Sequence, residues 1–386
     1  MDESTRLIAP ATHKDGRRRT VNPPVERATT VLMPSVANLF DGSEPVTYAI
    51  SGLQAHDALA GSLAELERAE SASIVPSGLA AMTVPIFSAV RAGDEVLLTD
   101  AVYGPTRRFC DRALKRFGVT ARYYPPRARA DEIMALCGER TRLIVMESPG
   151  SLTMDFQDVP AIAAAARERD LRTMVDNTWA AGVLFKPLEH GVDYSCQALS
   201  KYVGGHSDVF GGSIAVRDRT LAREVQNAID DMGWYVSPDD CWLMLRGLRT
   251  LPTRLARHDA SGRTVAQWLA AQPAVIEVMH PALPGSPDHA VWSRDFIGAS
   301  GLFSIVLDGS YDEAVAFIDA LQLFGAGVSW GGFESLAVPG RDQVARRAEP
   351  PKFGGCLVRL HVGLEDPADL IADLEQALAR VFPHKS

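Results

Sequence analysis

The sequence lacks the features that mark membrane, nucleic-acid-binding or disulfide-stabilised proteins. Its longest weakly apolar stretch, residues 78–90, contains Pro85 and is too short to span a bilayer. The net charge of −9 argues against nucleic-acid binding, because neutralising phosphates requires a basic surface. Five cysteines lie far apart without a CxxC pair, which predicts reduced thiols. The charged start of the chain, which includes the basic run Arg17–Arg19, has no apolar signal-peptide segment, so we expect a cytoplasmic protein.

Several familiar catalytic and cofactor motifs are also missing. The chain has no GxGxxG after a strand pattern, no Walker A motif, no HExxH and no GxSxG. The usual sequence signals of a nicotinamide dehydrogenase, a phosphate-loop ATPase, a zinc protease and a serine hydrolase are therefore absent, and no metal site is expected. Residues 205–208 place His, Ser and Asp side by side, but the members of a catalytic triad come from separate parts of a fold.

Composition and hydrophobic patterning divide the 386 residues into three regions. Residues 1–52 are polar and rich in Pro and Gly, which predicts an extended arm that contacts another subunit. Residues 53–249 alternate short apolar runs with amphipathic stretches, which predicts a mostly parallel sheet flanked by helices. Residues 250–386 predict a smaller α+β domain, in which the strands at 301–308 and 356–363 alternate as half-exposed strands do.

Polar residues follow several of the predicted strands in the middle region. In such sheets, ligands bind at the carboxyl ends of the strands. Gly78 and Leu79 begin a helix directly after a strand, so their backbone N–H groups could hold an anion. Asp176 ends an apolar strand, and Lys201 follows another, where its amine could form an imine with an aldehyde. Taken singly, these are also an ordinary strand–helix turn, a helix cap and a surface lysine.

Taken together, the three features match pyridoxal 5′-phosphate (PLP). This cofactor requires a lysine that binds its aldehyde, an acid that pairs with its pyridine nitrogen, and an anion site for its phosphate. Tyr103 follows a fourth predicted strand and could stack on the cofactor ring. The sequence therefore predicts a PLP site along one edge of the sheet.

Six longer runs of sequence resemble one known family. They are residues 147–154, 175–186, 200–208, 280–285, 329–332 and 357–366. All are similar to the Cys/Met-metabolism family of PLP-dependent enzymes of fold type I, and in particular to its β-lyases. The resemblance extends from about residue 20 to the end of the chain. It implies a large PLP-binding domain with a mixed, mostly parallel sheet, a smaller α+β carboxy-terminal domain and an extended amino-terminal segment.

The resemblance implies a role for each candidate residue. Lys201 would bind the cofactor covalently and move protons, Asp176 would keep the pyridine nitrogen protonated, and Tyr103 would stack on the ring and assist catalysis. The phosphate contacts would come from Gly78, Leu79 and Ser200, and the substrate contacts from Arg359, Ser329 and Trp330. Tyr48 would reach the phosphate and substrate of a neighbouring subunit and assist catalysis there. The active unit would then be a dimer with shared sites, within a tetramer.

One position departs from the family pattern. Relatives commonly have Tyr-x-Arg where this chain has Tyr48-Ala49-Ile50, so a charged contact to the phosphate, worth about 1.5–3 kcal/mol, is missing. The resemblance implies β-elimination of L-cystathionine, an amino-acid thioether, to homocysteine, pyruvate and ammonia. The alternatives are cysteine desulfhydration, γ-elimination, cleavage of an unusual thioether, or a non-catalytic protein that binds PLP.

Overall fold

The computed structural model describes residues 3–8, 20–44 and 46–384, so the basic run Arg17–Arg19 lies outside the described residues. The strands are β1 Ser71–Val75, β2 Glu95–Thr99, β3 Thr120–Tyr124, β4 Thr141–Glu147, β5 Arg172–Asp176, β6 Tyr194–Ala198, β7 Gly212–Val216, β8 Val275–Met279, β9 Leu302–Leu307, β10 Gly325–Ala326, β11 Leu336–Pro339 and β12 Cys356–His361. The α-helices are α1 Glu3–Ile8, α2 Gln54–Glu67, α3 Gly78–Ala89, α4 Gly104–Arg108, α5 Ala130–Leu136, α6 Val159–Arg167, α7 Arg219–Met232, α8 Pro238–Leu248, α9 Leu251–Leu269, α10 His289–Asp295, α11 Tyr311–Ala320, α12 Arg341–Val344 and α13 Pro367–Val381.

The larger sheet has seven strands in the order β1-β7-β6-β5-β4-β2-β3. Strand β7 is antiparallel to both of its neighbours, and every other neighbouring pair is parallel. Because β1 and β6 both run opposite to β7, six strands point the same way and end at one edge of the sheet. The predicted mixed, mostly parallel sheet is confirmed, although the sequence analysis had not predicted β3 or β7.

Helices cover both faces of this sheet. The central strands are buried throughout, and alternate side chains enter two separate cores, as the period of two in a strand requires. Leu97 and Ile144 pack with the helices α2 and α6 on one face, whereas Val96 and Val145 pack with α3 and α7 on the other. This two-sided burial explains why these strands read as continuous apolar runs in the sequence.

The smaller sheet has five strands in the order β10-β11-β12-β9-β8, and all its pairs except β10–β11 are antiparallel. The expectation that β9 and β12 are half exposed is wrong, because β9 is buried throughout and β12 at every residue except Arg359. One face packs on α11 and α13, for example through Val358. The other face packs against the larger domain, where Val306 and Leu357 contact Leu152.

Residues 20–52 run along the surface with little regular structure. An ion pair between Arg27 and Asp239 attaches them to the body of the protein, and an antiparallel bridge between Thr30 and Tyr48 joins two parts of the segment itself. Their apolar side chains are largely exposed, including those of Val21, Leu32, Val36 and Phe40. Among the described residues, none of the helices combines the length and apolar character needed to cross a membrane.

Buried histidines predict a loss of stability at acid pH. Burial lowers the pKa of His258 and His280 to about 4 and that of His361 to about 3. As the pH falls from about 6.5 towards 4, the unfolded chain binds protons that the folded chain does not. The free energy of unfolding should therefore fall by roughly 1.4 kcal/mol per pH unit for each such histidine.

Urea unfolding at pH 7 and pH 5 would measure this loss. We expect it to be smaller in the variant His280→Asn, whose side-chain oxygen can still accept the Ala282 N–H that the imidazole accepts at 3.2 Å. The exposed His384 provides the matched control variant, His384→Asn. Equal losses in His280→Asn and in the wild type would contradict the prediction.

Candidate active site

The candidate site lies where the carboxyl ends of the parallel strands meet the smaller sheet. The larger sheet contributes Glu147 from the end of β4 and Asp176 from the end of β5, and these two residues are register partners. Lys201 lies just after β6. The smaller sheet contributes Arg359 from β12, together with the segment 328–332 that precedes β11.

The Lys201 amine is held by a loop from the smaller domain. Its Nζ donates to Ser329 Oγ at 2.8 Å and lies 5.6 Å from the centre of the Trp330 ring. Burial, together with the positive charge of Arg359, lowers the pKa of Lys201 to about 8, while Asp176 acts in the opposite direction. A large share of this amine is therefore neutral near pH 8, which is the form that attacks an aldehyde.

No cation among the described residues is bonded to the Asp176 carboxylate. Its Oδ1 accepts from the Thr178 N–H at 3.1 Å and from Thr178 Oγ1 at 2.5 Å. Burial raises the pKa of Asp176, although the hydrogen bonds from Thr178 and the charge of Lys201 oppose the rise. A protonated ring nitrogen placed beside this carboxylate would supply the missing positive charge.

The sequence analysis assigned no role to Glu147, although it stands at the start of one of the runs that resemble the family. Its Oε2 accepts the backbone N–H of Tyr103 at 2.6 Å, so this buried carboxyl fixes the turn that carries the aromatic ring. Burial raises the pKa of Glu147 well above its usual value, and the neighbouring Asp176 raises it further. Tyr103 is 41% exposed; burial and the charges of Asp176 and Glu147 raise the pKa of its phenol, while the charges of Arg108 and Arg359 oppose the rise.

The start of α3 forms a tightly packed cradle beside Lys201. Ser77 Oγ accepts from the Ala80 N–H at 3.1 Å, as an N-cap does. A Cβ atom on Gly78 would lie 2.3 Å from Ala198 Cβ, so only glycine lets the helix approach the end of β6 this closely. Ser200 Oγ accepts from the Gly211 N–H at 3.0 Å, and this bond fixes the hydroxyl's place in the loop after β6. The first-turn N–H groups can therefore receive an anion.

Arg359 is placed as a receptor for a carboxylate. Its Nη2 donates to the carbonyl oxygens of Val328 and Ser329 at 2.9 Å each. Its Nε is buried and donates to no described residue. Burial lowers the pKa of Arg359 to about 10. An unfilled donor on a desolvated guanidinium suits a carboxylate ligand.

Tyr48 is the one candidate that the structure does not bring to this site. It lies on the arm, is 52% exposed, and pairs with Thr30. Ile50 is also exposed on the arm. The other candidates lie around the junction of the two sheets, and their groups suit PLP: an amine with a lowered pKa, a carboxylate without a cation, a packed anion cradle and an unfilled guanidinium donor.

Comparison with known proteins identifies the family. The family model described as Cys/Met metabolism PLP-dependent enzyme matches residues 4–379. The chain belongs to this family. The Escherichia coli (strain K12) protein named cystathionine beta-lyase MetC is 40% identical, and the match covers 98% of both chains. A Wolbachia pipientis wMel protein named L-alanine/L-glutamate racemase is 36% identical over 99% of this chain and 98% of its own.

A solved structure of the same family confirms the fold. The crystal structure of metB from Corynebacterium glutamicum matches with a TM-score of 0.92 and 29% identity, over 99% of this chain and 98% of that one. The fold class, the family and the PLP cofactor expected from the sequence of this Cys/Met metabolism enzyme are thereby confirmed.

The lowered pKa of Lys201 predicts its reactivity in the cofactor-free protein. Trace labelling with an amine-selective reagent, followed by mass spectrometry of the Lys201 peptide, should give a half-maximal rate near pH 8, because only the neutral amine reacts. The exposed Lys115 serves as the reference in the same digest. A midpoint for Lys201 above about 10, the range of an ordinary lysine, would contradict the prediction.

Proposed function

We propose that the protein is a PLP-dependent, β-eliminating carbon–sulfur lyase that converts L-cystathionine to homocysteine, pyruvate and ammonia. The observation that carries the proposal is the Lys201 amine, which has a lowered pKa and lies 2.8 Å from Ser329 Oγ on a loop that Arg359 also holds. The Lys201 amine and Arg359, the proposed receptor for the substrate carboxylate, thus bond to the same loop. The similarity to a cystathionine beta-lyase at 40% identity supports the choice of reaction.

One group of residues is placed to hold the cofactor. When bound, PLP supplies the aldehyde that condenses with amines and a conjugated ring that accepts the electron pair of the broken Cα–H bond. Asp176 would hold the proton on the ring nitrogen. Gly78, Leu79 and Ser200 would hold the phosphate, and Tyr103, whose backbone Glu147 fixes, would stack on the ring.

The substrate is oriented by the smaller sheet. Arg359 binds the α-carboxylate through donors that include its free Nε, while Ser329 and Trp330 line the pocket beside it. Lys201 Nζ then removes the Cα proton. The Cβ–S bond breaks, the sulfur leaves with the bonding pair, and the protonated Lys201 returns a proton to it. Water hydrolyses the remaining unsaturated amine to pyruvate and ammonia.

The same proposal includes a dimer in which each active site contains residues of both chains. Two such dimers would form a tetramer, and the protein would be cytoplasmic. The exposed apolar side chains of the arm and the position of Tyr48 away from its own chain's site support a contact of Tyr48 with a second copy's cofactor phosphate and substrate. The arm would comprise residues 1–52, the PLP-binding domain residues 53–249 and the carboxy-terminal domain residues 250–386. The five unpaired cysteines, four of them buried, suit a reducing compartment.

Product identification tests the proposed reaction. With L-cystathionine and added PLP, we expect pyruvate and homocysteine in equal amounts, and the variant Lys201→Ala should lose both this turnover and the visible absorption of the lysine-bound cofactor. Cysteine plus 2-oxobutyrate would indicate a γ-lyase. Conversion of L-alanine to D-alanine without any keto acid would indicate a racemase, and turnover retained in Lys201→Ala would overturn the mechanism.

Hybrid oligomers test whether Tyr48 acts on the neighbouring site. The variants Tyr48→Ala and Lys201→Ala should each have little activity alone. Co-expressed, they should form dimers in which one site has Lys201 from one chain and Tyr48 from the other, which would restore about a quarter of the wild-type activity for random pairing. No recovery in purified mixed dimers would show that Tyr48 acts within its own chain, whereas full activity of Tyr48→Ala alone would show that it does not act at all.

A further inference from the structure

Two side chains on one face of strand β12, those of Arg359 and His361, bond to the backbone of the loop 328–332. Arg359 Nη2 donates to the carbonyl oxygens at the start of this loop. His361, two residues further along, places its Nε2 3.1 Å from the Gly331 N–H and 3.1 Å from the Gly332 carbonyl oxygen. A single strand therefore fixes the loop at both ends.

This loop lies directly against the backbone of the lysine. Gly331 has a φ of +87°, and a Cβ atom added there would lie 2.8 Å from Tyr202 N and 3.0 Å from Lys201 Cα. The loop side chains then reach the amine, since Ser329 Oγ accepts from Lys201 Nζ. Any change in the position of the loop would alter the surroundings of that amine.

The hydrogen bonds fix the tautomer of one of two neighbouring histidines. His258 Nδ1 lies 2.9 Å from the Val362 carbonyl oxygen, which can only accept, so Nδ1 carries the proton and Nε2 keeps a lone pair. His361 Nε2 contacts both a donor, the Gly331 N–H, and an acceptor, the Gly332 carbonyl oxygen, so it bonds to the loop in either neutral tautomer. The two rings are 5.2 Å apart, and their remaining buried nitrogens, His361 Nδ1 and His258 Nε2, have no partner among the described residues.

Both rings are neutral at physiological pH. Burial lowers the pKa of His361 to about 3 and that of His258 to about 4, and the positive charges of Arg359, Lys201 and Arg254 act in the same direction. A neutral His361 bonds to the loop through Nε2, either as the acceptor for the Gly331 N–H or as a donor to the Gly332 carbonyl oxygen. Protonation would leave a donor facing the Gly331 N–H group.

We propose that His361 is a positioning residue for Lys201. Through Nε2 it bonds to the backbone of Gly331 and Gly332 and so holds the loop that carries Ser329 and Trp330 against the lysine amine. This inference rests on the role proposed above for Lys201. His361 acts through the loop, since its ring nitrogens bond only to loop atoms among the described residues.

Loss of the bond should loosen the loop and admit water to the amine. In the variant His361→Ala, we expect the labelling midpoint of Lys201 in the cofactor-free protein to rise by about one pH unit, towards the value of an ordinary lysine. In the PLP-loaded enzyme, kcat for L-cystathionine should fall about tenfold, with KM changed by less than about twofold. His361→Gln, whose amide oxygen can accept the Gly331 N–H, should restore both values.

The control is a histidine that is buried as completely but lies away from the loop. His280, also fully buried, contacts the Ala282 N–H and the Phe303 ring, so His280→Ala should leave the Lys201 midpoint unchanged. If His361→Ala fails to fold, His361→Leu fills the space without an acceptor and is measured instead. An unshifted midpoint in the variant without the acceptor, or an equal shift in His280→Ala, would overturn the proposal.

The labelling experiment separates this inference from the proposed function. It uses the cofactor-free protein and needs no substrate. If the wild type forms no pyruvate from L-cystathionine, the proposed reaction fails, whereas the midpoint of Lys201 still decides the role of His361.

Discussion

The site depends on three charged groups that are partly removed from water without being paired to each other. Asp176 bonds to Thr178, Lys201 bonds to Ser329, and Arg359 bonds to backbone carbonyls, so in the described part of the chain each group hydrogen-bonds to neutral partners only. Burial accordingly raises the pKa of the acid and lowers the pKa values of both bases. The folded protein keeps a desolvation penalty that a ligand with complementary charges would relieve. Relief of this desolvation penalty would therefore contribute to the free energy of binding of the cofactor and the substrate.

The topology holds these groups apart while placing them around the junction of the two sheets. Asp176 and Glu147 end neighbouring parallel strands, so the sheet register fixes their separation. Arg359 comes from the second sheet. It bonds to the loop 328–332, and Ser329 of that loop bonds to the Lys201 amine. Asp176, which we propose pairs with the pyridine nitrogen, and Arg359, which we propose binds the substrate carboxylate, thus belong to different sheets. The buried contact between those sheets sets the distance between these two groups.

The parts of the site that follow from strand geometry could be predicted, whereas those that follow from packing between domains could not. Lys201 and Asp176 were found because parallel strands collect their carboxyl ends at one edge. Strands β9 and β12 were misjudged because a period of two shows that a strand has two different faces, but not what covers the second face. Glu147 escaped notice because nothing local reveals that a carboxyl will meet the Tyr103 N–H, 44 residues earlier in the chain.

The substitution at Ile50 bears on cofactor affinity more than on the reaction. An arginine there would contact the phosphate, which is remote from the bonds that break. Losing about 1.5–3 kcal/mol of such contact weakens binding roughly tenfold to a hundredfold. The cradle at Gly78 is built from backbone N–H donors whose position is fixed by close packing on Ala198, so phosphate binding there requires no ordering of a long side chain. The groups that act at Cα, namely Lys201 and Arg359, are unaffected. The substitution at Ile50 can therefore weaken the binding of PLP without changing which bond of the substrate is cleaved.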